Sequence, residues 1–482
     1  MQLNEIFADA PAIAIEQLSC DSRMPMRNSL FFCLRGGRYN GHDFVKEAID
    51  NGAVAIVYSE DIDTSLPAIF IRVNDCVDIL NKVSAKFYEY PATGMENFFV
   101  GGSQNRSLLA YLLKQLISSF RPCGYFGYYG SSFKENESLA NALSFSVIDV
   151  YRNLSKMAKE EVGACVYENN LRSIKSMRFE TIEKACYIYD GLREDDGEYQ
   201  TYSDYLKSYA QEIKALDAEC DLIFNGDDDS YLKLIENQER TYTTYGYSDD
   251  VNFQIEGVEV NKEGTSFSFN NNQNTYHVHS KLLGERVVET LMACICALTM
   301  RGYPIEEIIQ KISDLQPPIG YLNLIVDEDY RVLVSKANNE LELEDILDYA
   351  KKTTDSDHKI VALYGVGKRD DKRKRQNFIA QLVNESDRLY ITENNLYEMN
   401  IYKLLNELDR QLQFGMVVVE ERQEAIECAL NTLNKDDILL ILGKGDERYL
   451  YHSLGKDTYI GDIAVVRKYF NDSELEVEDE LR

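Results

Sequence analysis

Short apolar runs alternate with amphipathic stretches along nearly the whole chain. Up to about residue 90, Ser29-Leu-Phe-Phe-Cys-Leu34, Ala53-Val-Ala-Ile-Val57 and Ala68-Ile-Phe-Ile71 have strand length, with helical periodicity near Asp43–Asn51 between the first two. This is the rhythm of a small α/β domain, and Pro91 punctuates its end. Further on, a strand over Asn97–Val100 leads into a helix over Ser107–Phe120, followed by strands near Gly163–Tyr167, Ala185–Tyr189 and Asp221–Phe224. Such a βαβ succession implies a mainly parallel sheet covered by helices. Between Phe253 and Ser280 the period changes. Val258-Glu-Val260, Phe267-Ser-Phe269 and Tyr276-His-Val278 alternate around turn residues, which predicts antiparallel hairpins. The apolar run Val287 to Met300 carries Glu289 and Thr290 and falls short of the ~18–20 residues of a membrane span, so it is expected to be a buried helix. Pro317-Pro318 marks the next boundary. Beyond it, strands at Tyr330–Val334, Ile360–Tyr364, Asp387–Ile391 and Asp437–Leu442 alternate with helices near Glu342–Lys352, Arg375–Val383 and Gln423–Leu433, a rhythm suited to a dinucleotide-type sheet. The expected domains are therefore 1–90, 91–315 and 316–482, the last ending in an acidic, aperiodic tail, Asn471–Arg482.

Composition narrows the partners. A chain of 482 residues, 44% apolar and 27% charged, has ample material for several cores, and wholesale disorder is excluded. Core volume comes from 33 Tyr and 20 Phe, since there is no Trp. The formal charge of −30 repels nucleic acid and anionic lipid, so neither a nucleic-acid partner nor membrane insertion is expected, and a polyanionic ligand needs a local exception. Ten scattered cysteines form neither a C-x-x-C pair nor a zinc pattern; with no basic and apolar leader at the amino terminus, a reducing, cytoplasmic setting is expected. Three features have plain readings. The basic stretch Lys368-Arg369 and Lys372-Arg-Lys-Arg375 is more readily a solvated face than a phosphate or nucleic-acid site. His277 and His279 share one strand face but lack a third ligand nearby, and Asp227-Asp-Asp229 fits an Asx turn.

The segments Asp21-Ser-Arg23, Ser29-Leu-Phe-Phe32, Gly36-Gly-Arg-Tyr-Asn-Gly-His42-Asp-Phe44 and Ala48-Ile-Asp-Asn-Gly-Ala53 resemble, at matching spacing, the amino-terminal UDP-binding domain of Mur ligases, especially muramyl-tripeptide synthetases of the MurE type. Toward the other end, Gly443-Lys-Gly-Asp-Glu447 is similar to that family's G-K-G-H-E loop, and Gly365 to Arg375 to its glycine- and arginine-rich loop. The resemblance spans the chain. It implies a three-domain α/β architecture: a UDP-binding domain, a central P-loop-type ATPase domain and a Rossmann-like ligase domain. It also implies an ADP-forming amide ligase of peptidoglycan synthesis, in which ATP and Mg2+ activate the carboxylate of a UDP-N-acetylmuramoyl peptide for attack by an amino acid. Ser22, Arg23 and His42 are then expected at the UDP-peptide, with Gly443 and Glu447 also on the substrate side.

At the nucleotide positions the chain departs from the family. The phosphate loop G-T-N-G-K-T-T becomes Gly102-Ser-Gln-Asn-Arg-Ser-Leu108: Gly102 and Ser103 keep the turn, Asn105 replaces Gly, Arg106 replaces Lys, and Ser107 keeps a hydroxyl for magnesium. Arginine is a larger, planar cation than an ammonium and does not substitute neutrally at a tight point-charge site. Where the family has E-V-S-S-H-A-L, the chain has Glu168-Asn-Asn-Leu-Arg-Ser-Ile174, keeping the carboxylate as a second metal candidate but putting Arg172 at the His. D-H-L-D-Y-H-G survives only as an acidic stretch, Leu192 to Gly197, and the adenine-facing asparagines fall on Val287 and Thr290. G-R at the domain boundary is Gly320-Tyr321; D-Y-A-H-x-P is Ser335 to Glu340, leaving Asn338 as the nucleotide candidate there; D-N-P-R is Asn394-Asn-Leu-Tyr397. Lys207, one residue out of register, is the candidate for the family's carbamylated lysine, and Lys207 and Glu168 are the catalytic candidates. Two functions follow. Either the chain is a Mur-ligase-fold protein that binds a UDP-N-acetylmuramoyl peptide or a cell-wall enzyme without catalysis, or it is a ligase with unusual ATP contacts.

Overall fold

The computed structural model describes the chain except residues 37–38, 135, 139–143, 193–200, 237–238, 272–273, 338, 368–371, 398–399, 407–414, 453–454 and 471–482. The candidate Asn338, the acidic stretch from 193 to 197, the basic residues 368–369 and the acidic tail lie outside the described residues. Two compact units are formed, Met1–Gln254 with Thr290–Lys311, and Ile255–Glu289 with Ile312–Arg482.

In the first unit, the amino-terminal region carries a parallel sheet in the order Gln17–Ser19, Ser29–Phe32, Ala53–Tyr58, Ile69–Arg72. Of the expected apolar runs, the first two form the inner strands and the third forms the edge strand Ile69–Arg72. A helix over Cys76–Phe87, not among the elements expected from the sequence, covers it with Cys76, Leu80 and Val83 turned inward and Asp75 accepting from the Val77 and Asp78 amides as N-cap. The larger sheet runs Thr243–Gly246, Asp221–Asn225, Cys186–Tyr189, Glu96–Gly101, Ala164–Glu168, Cys123–Gly127, all parallel, and then turns antiparallel through Gly130–Phe133 and Asn136–Ser138.

Aromatic residues hold these strands in register. Tyr187 pairs with Phe99, Phe99 with Tyr167 and Tyr167 with Phe126 across four neighbouring strands. Their rings stack with centroids 6.5, 4.5 and 5.6 Å apart, so one buried ladder does the work a tryptophan-containing core would share. Against the sheet packs the helix Arg106–Ser118, where Leu109, Leu112, Leu113 and Leu116 form one buried stripe.

The second unit has a sheet in the order Asn323–Asp327, Arg331–Ser335, Ile438–Leu442, Ile360–Val366, Arg388–Glu393, Met416–Val418, parallel except for its first pair. Its central strands are continuously apolar because both faces are covered. Gly264–Asn270 and Thr275–Ser280 form the antiparallel hairpin that the alternating period predicts. Within this unit Asp345 accepts hydrogen bonds from the Glu285 and Arg286 amides at 2.9 and 3.1 Å, just ahead of the buried helix Val287–Met300. Burial pushes the Asp345 carboxyl up to about 6 despite those two donors.

Candidate functional site

Parallel strands deliver their next residues to one end of the sheet, and in the first unit five neighbouring strand ends converge there. Gly101 continues into Gly102, whose φ of +94° suits glycine. A Cβ at Gly102 would stand 2.0 Å from Asp190 Oδ1 and 2.6 Å from the Gly191 carbonyl oxygen, so a side chain is excluded on both counts. The turn then passes Ser103, whose amide donates to the Gly191 carbonyl at 2.8 Å, and enters the helix at Arg106.

Arg106 does not face outward. Its Nε donates to Glu168 Oε1 at 3.0 Å, and its Nη1 donates to the Gly102 carbonyl. Ser107 Oγ donates to the same Glu168 oxygen at 2.8 Å, and the Tyr128 amide donates to Oε2 at 2.7 Å. The Glu168 side chain is fully buried, and that of Arg106 is 13% exposed. Both carboxylate oxygens of the candidate metal ligand are thus occupied by groups of the chain itself.

Asp190, which no motif marks, and Asp228, from the Asp227–Asp229 turn, complete this end of the sheet. Asp190, 3% exposed, accepts the Asn105 amide through Oδ2, while Oδ1 is buried without a hydrogen-bond partner. Burial pushes its carboxyl up to about 7, against the pull of Arg106. Asp228 accepts from Gln104 Nε2 at 3.3 Å and from the Leu192 amide. Arg178 is buried, donates to Ser173 Oγ at 3.3 Å, and is drawn down to about 10 by desolvation. A lone arginine beyond a matched motif carries no periodic signal, which is why the sequence does not mark it.

Lys207 takes no part in the contacts just described. On the helix Tyr202–Lys214 the buried face holds Tyr205, Leu206, Tyr209 and Ile213, and the hydroxyls of Tyr205 and Tyr209 donate to the Gly102 carbonyl at 3.3 Å each. Lys207 lies on the exposed side of the same helix. Arg172 is also exposed, and Val287 and Thr290 are buried within their helix. The local Asx bond of the Asp227–Asp229 stretch is made by Asp228, which accepts the Ser230 amide at 2.8 Å, while Asp227 instead accepts the distant Tyr247 and Ser248 amides at 2.6 and 3.0 Å.

In the amino-terminal region Ser22 Oγ donates to Glu47 Oε2 at 2.9 Å, and exposed Arg23 pairs with Asp21 through two nitrogens at 2.8 and 2.7 Å. His42 has both ring nitrogens engaged. Nδ1 lies 2.7 Å from Asn40 Oδ1, and Nε2 accepts the Ser59 and Glu60 amides at 3.1 and 3.2 Å. This pattern fixes the neutral tautomer protonated at Nδ1, and desolvation lowers the pKa accordingly.

The second unit gathers Gly443 and Glu447 with the Asn394-Asn395 pair. Asn394 Nδ2 donates to the Gly443 carbonyl at 2.7 Å. Lys444, fully buried, donates to the Tyr449 carbonyl at 2.6 Å and to Asn394 and Asn395 Oδ1 at 3.3 and 3.4 Å; desolvation brings it down to about 8. Tyr397 stacks on Tyr451 with centroids 5.6 Å apart, so the position of the family's arginine is spent on an aromatic contact. Glu447 lies 3.7 Å from Lys336 and 3.9 Å from Lys444.

Three family models match the chain in succession: the Mur ligase family catalytic domain over residues 14–92, the Mur ligase middle domain over 100–298 and the Mur ligase glutamate ligase domain over 322–445. Among curated relatives, the UDP-N-acetylmuramoyl-L-alanyl-D-glutamate--2,6-diaminopimelate ligase of Halalkalibacterium halodurans is 24% identical over 444 residues, 90% of each chain. That of Phocaeicola vulgatus is 24% identical over 481 residues, 98% of this chain and 96% of its own. Among solved structures, a ligase of the same name superposes with a TM-score of 0.72 at 19% identity, covering 98% of this chain and 99% of the other. MurF ligase from Thermotoga maritima in complex with ADP gives 0.63 at 15% identity, covering 94% and 96%.

Proposed function

The chain belongs to the Mur ligase family, and on that premise we propose that it is a MurE-like protein of peptidoglycan synthesis that binds a UDP-N-acetylmuramoyl peptide without ADP-forming ligation. One observation carries this reading: the Arg106 guanidinium, Ser107 and the Tyr128 amide together engage both oxygens of the Glu168 carboxylate. Magnesium requires carboxylate oxygens that face it and keep lone pairs free. The residues do not fit magnesium-bound ATP, because the cation that would hold phosphate is paired with the anion that would hold the metal. A transition state with charge spread over a transferring phosphoryl group depends on several such groups acting together. Lys207 on an exposed helix face supports the same reading, since none of the groups that hold Glu168 comes from it.

The alternative is an active ligase in which Arg106 turns to the phosphates and leaves Ser107 and Glu168 to the metal. The 2.8 Å contact between those two groups favours it. Phosphate release separates the two readings. With ATP, magnesium, UDP-muramoyl di- or tripeptide and a mixture of amino acids, no release above background is expected from either the native chain or Arg106→Ala. Turnover that this substitution abolishes would establish the ligase.

Binding is tested independently. The amino-terminal domain keeps the family's segments around Ser22, Arg23 and His42, with His42 bracing the loop after Ala53–Tyr58, Ser22 buried and bonded to Glu47, and Arg23 at the surface. UDP-N-acetylmuramoyl peptide at about 100 times its dissociation constant should stabilise the folded chain by about 2.7 kcal/mol, read as a raised melting temperature. An unchanged melting temperature at millimolar ligand would remove the substrate from this proposal and leave a cell-wall enzyme as the partner to look for.

A further inference from the structure

We propose that Asp190 is the built-in occupant of the anion cradle formed by the turn from Gly102 to Asn105, so that the turn is closed to phosphate by a carboxylate of its own chain. The inference rests on the non-ligating reading above and supplies its physical cause. A glycine turn that opens a helix collects amide hydrogens and the positive end of the helix dipole, and it attracts an anion. Here the anion comes from the neighbouring strand end. Asp190 Oδ2 takes the Asn105 amide, and Oδ1 sits against Gly102, in the space a Cβ would fill. That oxygen is buried against the turn without a hydrogen bond of its own, and the carboxylate is held there by the turn's amides and by the attraction of Arg106.

The surrounding groups make a second anion unwelcome. Facing the turn are Arg106 from the helix start, Glu168 from the adjacent strand end, Asp228 from the loop after Asp221–Asn225, and Tyr205 and Tyr209 from the helix Tyr202–Lys214. Three carboxylates therefore meet one guanidinium, which is itself paired with Glu168. An entering phosphate would have to displace Asp190 from the Asn105 amide and then sit beside it. The segment Asp190-Gly191-Leu192 is fastened in place by the Ser103 amide on the Gly191 carbonyl and by Asp228 on the Leu192 amide, so displacement would also break these contacts.

Calorimetry with inorganic tripolyphosphate, without metal and at about pH 8, tests the idea on the full chain and avoids any dependence on turnover. Asp190→Ala and Asp190→Asn are each expected to bind tripolyphosphate at least about tenfold more tightly than the native chain, the effect of removing a like charge from contact range. Asp228→Asn removes the same charge from the turn's outer support and should gain less. The isosteric asparagine keeps the test alive if the alanine variant does not fold, and melting curves verify both. Folded variants with no gain overturn the role of Asp190 while leaving the non-ligating reading in place. An equal gain from Asp228→Asn overturns it too, because general charge relief would then suffice. Native protein that binds tripolyphosphate as tightly as the variants overturns the closed turn, and phosphate release by the same protein would remove the non-ligating reading as well.

Discussion

Arg422→Ala is expected to destabilise the second unit by about 3–5 kcal/mol, the usual cost of removing one partner from a buried ion pair. Arg422 and Asp462 are both fully buried, with two nitrogen–oxygen contacts of 2.7 Å. Arg422 also donates to the Leu442 carbonyl at 3.2 Å, and the Tyr459 hydroxyl donates to Asp462 at 2.8 Å. Arginine cannot shed its proton in a protein, so the truncation would leave Asp462 with only the tyrosine for support. The melting transition of this unit should fall by on the order of 10 °C. Arg422→Met combined with Asp462→Leu should recover most of the loss, since an apolar pair of similar volume avoids desolvating charge. A single variant as stable as the native chain would show that the pair is not needed. The same guanidinium explains Gly365, at the start of the glycine- and arginine-rich loop. A Cβ there would lie 2.2 Å from Arg422 Nη1. In this chain that glycine makes room for a structural cation.

What could be foreseen from the residues divides along a physical line. The strands Ala53–Tyr58, Glu96–Gly101, Cys186–Tyr189 and Ile438–Leu442 announce themselves, because a strand buried on both faces must be a continuous apolar run. The turn at Gly102 is equally plain, since strand, glycine and helix follow one another at fixed spacing. The exposed position of Lys207 was legible as well. Tyr205, Tyr209 and Ile213 recur every four residues, and a residue two places beyond the first lies on the other side of the helix. Motif matching makes Lys207 the carbamate candidate, and the helical phase puts it on the exposed side. Asp190, Asp228 and the closure of His42 onto the Ser59 and Glu60 amides are of another kind. Each depends on a partner from a different strand end or on backbone amides, and neither periodicity nor spacing carries that information. The helix Val147–Lys159 is legible on the same grounds as the Lys207 helix, although it contains no continuous apolar run: its capping box, Ser146 with Asp149, opens a stripe of Val147, Val150, Tyr151, Leu154 and Met157 at helical spacing.

Glu168→Ala should separate a structural carboxylate from a catalytic one. A metal ligand waiting for its ion is incompletely satisfied in the protein alone, so replacing it abolishes turnover and leaves stability unchanged or improved. Glu168 has the opposite surroundings: the Arg106 guanidinium at 3.0 Å, the Ser107 hydroxyl at 2.8 Å and the Tyr128 amide at 2.7 Å, all around a fully buried side chain. Its removal strands a mostly buried cation and two donors. The expected loss is about 3 kcal/mol, seen as a lower melting transition of the first unit. Glu168→Gln keeps an acceptor for Ser107 or Tyr128 but loses the ion pair, and it should fall between the native chain and the alanine variant. Arg106→Leu in the Glu168→Gln background should restore part of the loss, because the uncompensated charge is then gone. A Glu168→Ala protein that melts no lower than native would reverse the argument: the carboxylate would be held in reserve for a metal, and the guanidinium beside it would be a gate rather than a permanent partner.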